Sequence, residues 1–262
     1  MTHAGHGIDS SVGPLLLVAA LAIGYEVLSL RHRWSGRRGA SFMIGCAVLA
    51  VGMVVGQNAD GFRDHMLAHL LIGMFAPLAL VLGAPVTLVL RCLPPAHRRY
   101  AARVLHARIT RFVAHPATAL VLTVVPLFAL YATPLYLRST QDPTLHHLLH
   151  VHFLAAGYLF AWVVAGPDPA PRRPSVPARL VVLGIAIAAH TTLSQLLYAG
   201  VLTPVPGAIA DRQAAATLMY YGGDAAELLL ALALLTSWRP RAGRPERPPA
   251  RRRALTAAQG AR

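Results

Sequence analysis

Seven histidines carry the first chemical signal in this chain. His65, His69, His146, His147, His150, His152 and His190 fall inside or at the ends of apolar runs that are otherwise almost free of ionisable groups. An imidazole in a hydrocarbon layer is costly unless it is paired, ligates an ion or faces a polar cavity, so such a cluster marks a functional site by default. The spacing narrows the chemistry. His65 with His69, and His146 with His150, stand at i and i+4, which puts two imidazoles one turn apart on one helix face, where both can reach one metal ion. The bland alternative is a set of interhelical hydrogen bonds.

The elements that hold these residues follow from composition. With 55% hydrophobic content over 262 residues, the chain is too apolar for an ordinary soluble domain. It is an integral membrane protein. Seven stretches approach the roughly 20 residues that a hydrocarbon core demands: 11–30, 40–57, 63–90, 114–131, 144–165, 178–202 and 212–237. The second is short, and the third is broken by Pro77, Gly83 and Pro85, which predicts a kink or a short interfacial piece. The fold class expected is all-α, a polytopic bundle of seven transmembrane helices over residues 11–238. An outward tail over 1–10 precedes it and a disordered, cytoplasmic Arg/Pro-rich tail over 239–262 follows.

All 24 basic residues are arginine, and they are unevenly placed. Alternate connections and the tail hold 21 of them, against Arg63, Arg138 and Arg212 on the other side. Because positive charge is retained on the cytoplasmic face, the amino terminus is expected outside and the carboxyl terminus inside. The first apolar run is followed at once by Arg31-His32-Arg33 and reads as a retained span. The net charge of +14 therefore points to anionic lipid at the cytoplasmic surface and not to nucleic acid. The stretch Leu93 to Ala114, with Arg98, Arg99, Arg103 and Arg111 among apolar residues, reads as an interfacial amphipathic helix.

In that orientation, a rise of about 1.5 Å per residue gives each polar group a depth. His65 and His69 lie in the first two turns of the third span, in the same outer layer as His146 and His150 of the fifth. His147 and His152 occupy flanking faces, where contact with headgroups is the simpler reading. His190 comes near mid-membrane, Met219 a little above it and Asp224 close to it, with Glu227 one turn further in. Asp224 needs a partner or a proton, His190 is the candidate, and Glu227 could share that role. Imidazole suits copper, zinc and iron, and adding a thioether shifts the preference towards reduced copper.

Other chemistry finds no support. Cys46 and Cys92 form neither a CxxC pair nor a disulfide framework. No Gly-rich phosphate loop or nucleophile elbow is present, and nothing activates Ser194. Histidine boxes for a di-iron hydroxylase would stand at the opposite helix ends.

The run His65-Met66-Leu67-Ala68-His69-Leu70-Leu71, with Ala76-Pro77 and Leu82-Gly83-Ala84-Pro85, resembles the polytopic CtaG family of cytochrome c oxidase assembly factors, associated with the caa(3)-type oxidases. Thr133-Pro134-Leu135-Tyr136, His150-Val151-His152-Phe153, Asp168-Pro169, Pro171-Arg172-Arg173, and Asp211-Arg212-Gln213 with Leu218-Met219-Tyr220 extend the likeness over roughly residues 40 to 237. The resemblance implies a multi-pass protein of the bacterial inner (plasma) membrane that has no turnover of its own. It would assist maturation of oxidase copper centres, with oxidase subunits as partners. His65, His69, His146, His150, His152, His190 and Met219 fall on family-like positions. They are the candidate metal residues, with copper as Cu(I) the expected ion, His65 its first point of capture and Asp224 a supporting partner of His190. Two alternatives stay open: a b-type haem held by histidines of different helices, and a metal-free assembly scaffold.

Overall fold

A computed structural model describes residues 6–171, 173–201 and 207–238. Residues 1–5 of the expected outward tail and all of the expected 239–262 tail lie outside the described residues. Within them every regular element is helical. In order these are α1 (His6–Arg31), α2 (Gly36–Gln57), α3 (Phe62–Leu70), a π segment (Leu71–Phe75) and α4 (Ala76–Leu82). Then come α5 (Pro85–Cys92), α6 (Pro95–Leu105), α7 (Arg108–Val113), α8 (Pro116–Ala132), α9 (Leu135–Gln141), α10 (Pro143–Ala165), α11 (Val176–Ala199) and α12 (Ile209–Thr236). Helix α1 thus begins inside the stretch expected to be a tail.

Among the described residues, six helices are long and apolar enough to cross a membrane: α1, α2, the unit Phe62–Leu82, α10, α11 and α12. A seventh span exists if α8 and α9, bent by 80° at Thr133-Pro134, are counted as one. The bundle also wears its apolar residues outwards. Leu16, Ile23, Val125, Leu148, Val181, Leu228 and Leu232 are all exposed, as lipid-facing side chains are.

The long third run divides where its punctuation predicts. Pro77 has no N–H to offer the carbonyls one turn earlier. There the helix widens into the π segment, in which the Ala76 N–H reaches the Leu71 carbonyl. The chain stays in one span to Leu82 and then turns at Ala84, held left-handed at φ 53°. Pro85 opens α5 beyond that turn, where its missing N–H costs nothing. The stretch Leu93–Ala114, expected as one amphipathic helix, forms two, α6 and α7, with no buried residue in either.

The two ends of the bundle differ in chemistry. At the arginine end the loop after α10 grips the start of α5. Fully buried Asp168 accepts hydrogen bonds from Val86 N (3.1 Å), Thr87 N (2.7 Å) and Thr87 Oγ1 (2.5 Å). The Arg173 guanidinium donates to the Gly166 and Asp168 carbonyls. Nearby, Tyr25 OH donates to the Gly83 carbonyl at 2.7 Å and Trp34 Nε1 to Tyr25 OH at 2.9 Å. Arg38 and Arg91 stack on Trp34 at 5.1 and 4.8 Å. This network ties α1, α2 and α5 together and leaves the opposite end to the histidines.

Candidate functional site

The histidine end is built on two carboxylate caps. Asp211, in the first turn of α12, accepts from Phe62 N at 2.8 Å and Arg63 N at 3.3 Å, so it closes the start of α3 from a neighbouring helix. Asp142 accepts from Thr144 N (2.8 Å) and Leu145 N (3.2 Å), with Pro143 as the first residue of α10. A carboxylate at a helix start satisfies free N–H groups and faces the positive end of the dipole. Each cap lies within one turn of a histidine pair, and together they fix where α3 and α10 present their imidazoles.

Those imidazoles meet. The rings of His65 and His146 lie 6.3 Å apart centre to centre, and those of His146 and His150 4.3 Å apart. Two imidazoles that share one ion at about 2.0 Å per nitrogen bring their centres to roughly 5 Å at a tetrahedral angle and a little over 6 Å when linear. The first pair stands at the linear end of that range, and the second is closer than it allows. Tyr136 packs edge-on to His65 at 4.9 Å, and Phe62 stacks on it at 6.1 Å. Gly56 of α2 closes the far side, where a Cβ would come 3.3 Å from His150 Cε1.

His65, His69, His146 and His150 line one small cavity with Ser139 and Phe153. Its volume is about 10 Å³, close to the least that admits a single water or ion. His65 Nε2 and His150 Nε2 are buried and have no hydrogen-bond partner. Such orphaned nitrogens cost free energy unless a water, an ion or another polar group meets them. Among the described residues no three His, Cys, Asp or Glu side chains stand close enough to grip one ion together. The described side chains thus form no preformed three- or four-ligand site.

The other candidates are placed differently. His69 is buried, edge-on to Phe153 at 4.5 Å, and also lines a second cavity deeper in the bundle. His190 is on that deeper cavity, and the carboxylate that reaches it is Glu227, with Oε1 3.9 Å from His190 Nδ1. Asp224, expected in that role, is half-buried one turn earlier on α12. His152 bonds with Nε2 to the Leu122 carbonyl at 3.2 Å, away from the cluster. Met219 is fully buried in an apolar group with Phe62, Met66, Leu127, Tyr131 and Leu193 and lines neither cavity. The methionine on a cavity wall is Met74. Ser194 Oγ bonds the His190 carbonyl at 2.9 Å, an ordinary intrahelical contact.

Neither Met74 nor Tyr131 stands out in the sequence, and Tyr136 does so only within the Thr133-Pro134-Leu135-Tyr136 run. Asp142-Pro143 is available there as a helix-start signal. The reach of Asp211 to α3 had no local signal at all.

The chain has relatives among known proteins. The chain is 34% identical over 255 residues to the uncharacterized protein Mb0105 of Mycobacterium bovis and, equally, to the uncharacterized protein MT0111 of Mycobacterium tuberculosis. It is 31% identical over 257 residues to the uncharacterized protein ML1998 of Mycobacterium leprae. Each match takes in 88% of this chain but 39% of the relative, so the chain spans about two fifths of the length of these curated relatives. No solved structure matches. The family model described as cytochrome c oxidase caa3 assembly factor matches residues 12–241, which takes in every helix from α2 to α12 and both histidine pairs. This multi-pass membrane chain belongs to the cytochrome c oxidase caa3 assembly factor family.

Proposed function

We propose that this protein receives Cu(I) as cargo between α3 and α10 and delivers it during maturation of an oxidase copper centre, without catalysing a reaction. The observation that carries the reading is the pair of orphaned buried nitrogens, His65 Nε2 and His150 Nε2, on a shared ion-sized cavity with His146 beside them. Neutral imidazoles are good ligands for copper, and a monovalent soft ion is content with few of them. A cavity of about 10 Å³ favours an ion over a porphyrin. The arginine asymmetry supports an outward amino terminus, which puts the histidine end on the extracytoplasmic side. The exposed helices α6 and α7, with Arg98, Arg103, Arg108 and Arg111 beside Tyr100, Ile109 and Phe112, then rest on anionic lipid at the cytoplasmic face.

The test is Cu(I) competition against bicinchoninate with the detergent-purified full chain. Wild type binds copper, and His65→Ala and His150→Ala each weaken the first equivalent by about tenfold or more. Equal affinity in wild type and both variants, together with normal oxidase activity in cells carrying His146→Ala, would overturn the reading.

A further inference from the structure

A second cavity lies behind the first. Its volume is about 70 Å³, several times the 10–15 Å³ or so that one water requires. Residues of the Phe62–Leu82 span, α8, α10, α11 and α12 enclose it, and most of them are apolar. Its polar groups are few: His69, Thr123, His190 and Glu227, with the Met74 thioether on the same wall. His190 and Glu227 are 6% and 5% exposed, and His190 Nε2 and Glu227 Oε2 have no hydrogen-bond partner. These are two orphaned atoms of opposite habit, one an imidazole nitrogen and one a carboxylate oxygen.

His69 and Phe153 line both cavities, so they form the partition between them. The outer cavity offers imidazoles and no acid. The deeper one adds a carboxylate, and that difference decides which ion could rest there. A single positive charge in a low-dielectric interior is tolerated when an opposite charge lies beside it, and one carboxylate neutralises one monovalent cation. Thioether and imidazole select a soft ion.

We propose that this cavity is a second station for a monovalent soft cation, reached past His69, with His190 and Met74 as ligands and Glu227 as the compensating charge. The inference rests on the copper reading of the outer site and adds to it a second ion and a sulfur ligand. Gly223 is part of the design. A Cβ there would come 2.0 Å from His190 Cε1, so the glycine leaves the imidazole its place at the cavity wall.

The experiment is Cu(I) stoichiometry of the detergent-purified full chain, with X-ray absorption on samples loaded to each equivalent. Wild type should take up two ions per chain, and the second should bring a sulfur scatterer. Glu227→Gln and Met74→Leu should each retain the first ion and weaken the second by about tenfold or more. Met74→Leu should also abolish the sulfur signal. Because Met74→Leu conserves volume, it carries the test if Glu227→Gln fails to fold. One ion per chain, or two ions indifferent to both substitutions, would overturn this inference and leave the outer site standing. No ion at all in wild type would overturn both.

Discussion

The backbone of Gly157 in α10 lies so close to the Gly73 carbonyl that a Cβ at position 157 would stand 1.9 Å from that oxygen and 3.2 Å from Pro77 Cγ. The contact falls at the π segment, where Pro77 interrupts regular helical bonding. A widened turn on one helix and a residue without a side chain on the other let the two axes approach. That approach sets the register by which Phe153 meets His69, and His146 meets His65, further along the same pair of helices.

Gly157→Ala should therefore act at a distance. The methyl group meets backbone, which cannot rotate away, and overpacking of this kind costs about 1 to 3 kcal/mol. The expected outcome is a lower Tm in detergent together with weaker Cu(I) binding, although position 157 lines only the deeper cavity. Gly184→Ala on α11, where nothing lies within 4 Å of the new methyl, is the control and should lower neither.

Asp211 joins two helices that are almost 150 residues apart in sequence, since its carboxylate receives the Phe62 and Arg63 N–H groups. Asp211→Ala removes both acceptors from the start of α3. Loss of a capping side chain costs about 0.5 to 2 kcal/mol. Backbone amide exchange should rise at Phe62 and Arg63 while the Asp142-capped start of α10 keeps its protection. Unchanged exchange at Phe62 would show that the cap is not what holds α3 in place.

Much of this arrangement was legible before any coordinates. Apolar runs of membrane length gave the spans because burying that much hydrocarbon leaves few alternatives. Assigning depth from helix rise was enough to bring His65 and His146 into one layer, and the structure places their rings 6.3 Å apart. Depth says nothing about rotation, and rotation is where the placement of the site residues departs from their expected depth. Met219 has a suitable height but turns into the apolar group around Tyr131, while Met74 turns to a cavity. Asp224 and Glu227 differ by about 4.5 Å along the axis, and it is Glu227 that faces His190. The division of Leu93–Ala114 into two helices follows a turn at His106-Ala107, a local detail that an amphipathic pattern does not record.

His152 shows the same limit in its sharpest form, because its partner is created by a residue on another helix. Pro126 sits inside α8 and has no N–H, so the Leu122 carbonyl four residues earlier loses its helical donor. In a membrane such a carbonyl must find another partner. His152 Nε2 lies 3.2 Å from it, and in the tautomer with its proton there it supplies the missing bond. His152→Ala should then cost stability, about 1 to 3 kcal/mol for a buried acceptor left unpaired. Cu(I) affinity should stay within about twofold of wild type, the reverse of the pattern expected for His150→Ala, which stands half a turn away on the same helix. Pro126→Ala in the His152→Ala background restores the helical donor to Leu122 and should recover most of the lost stability. A stable His152→Ala protein that fails to bind copper would return His152 to the ligand set and remove the hydrogen bond from its explanation.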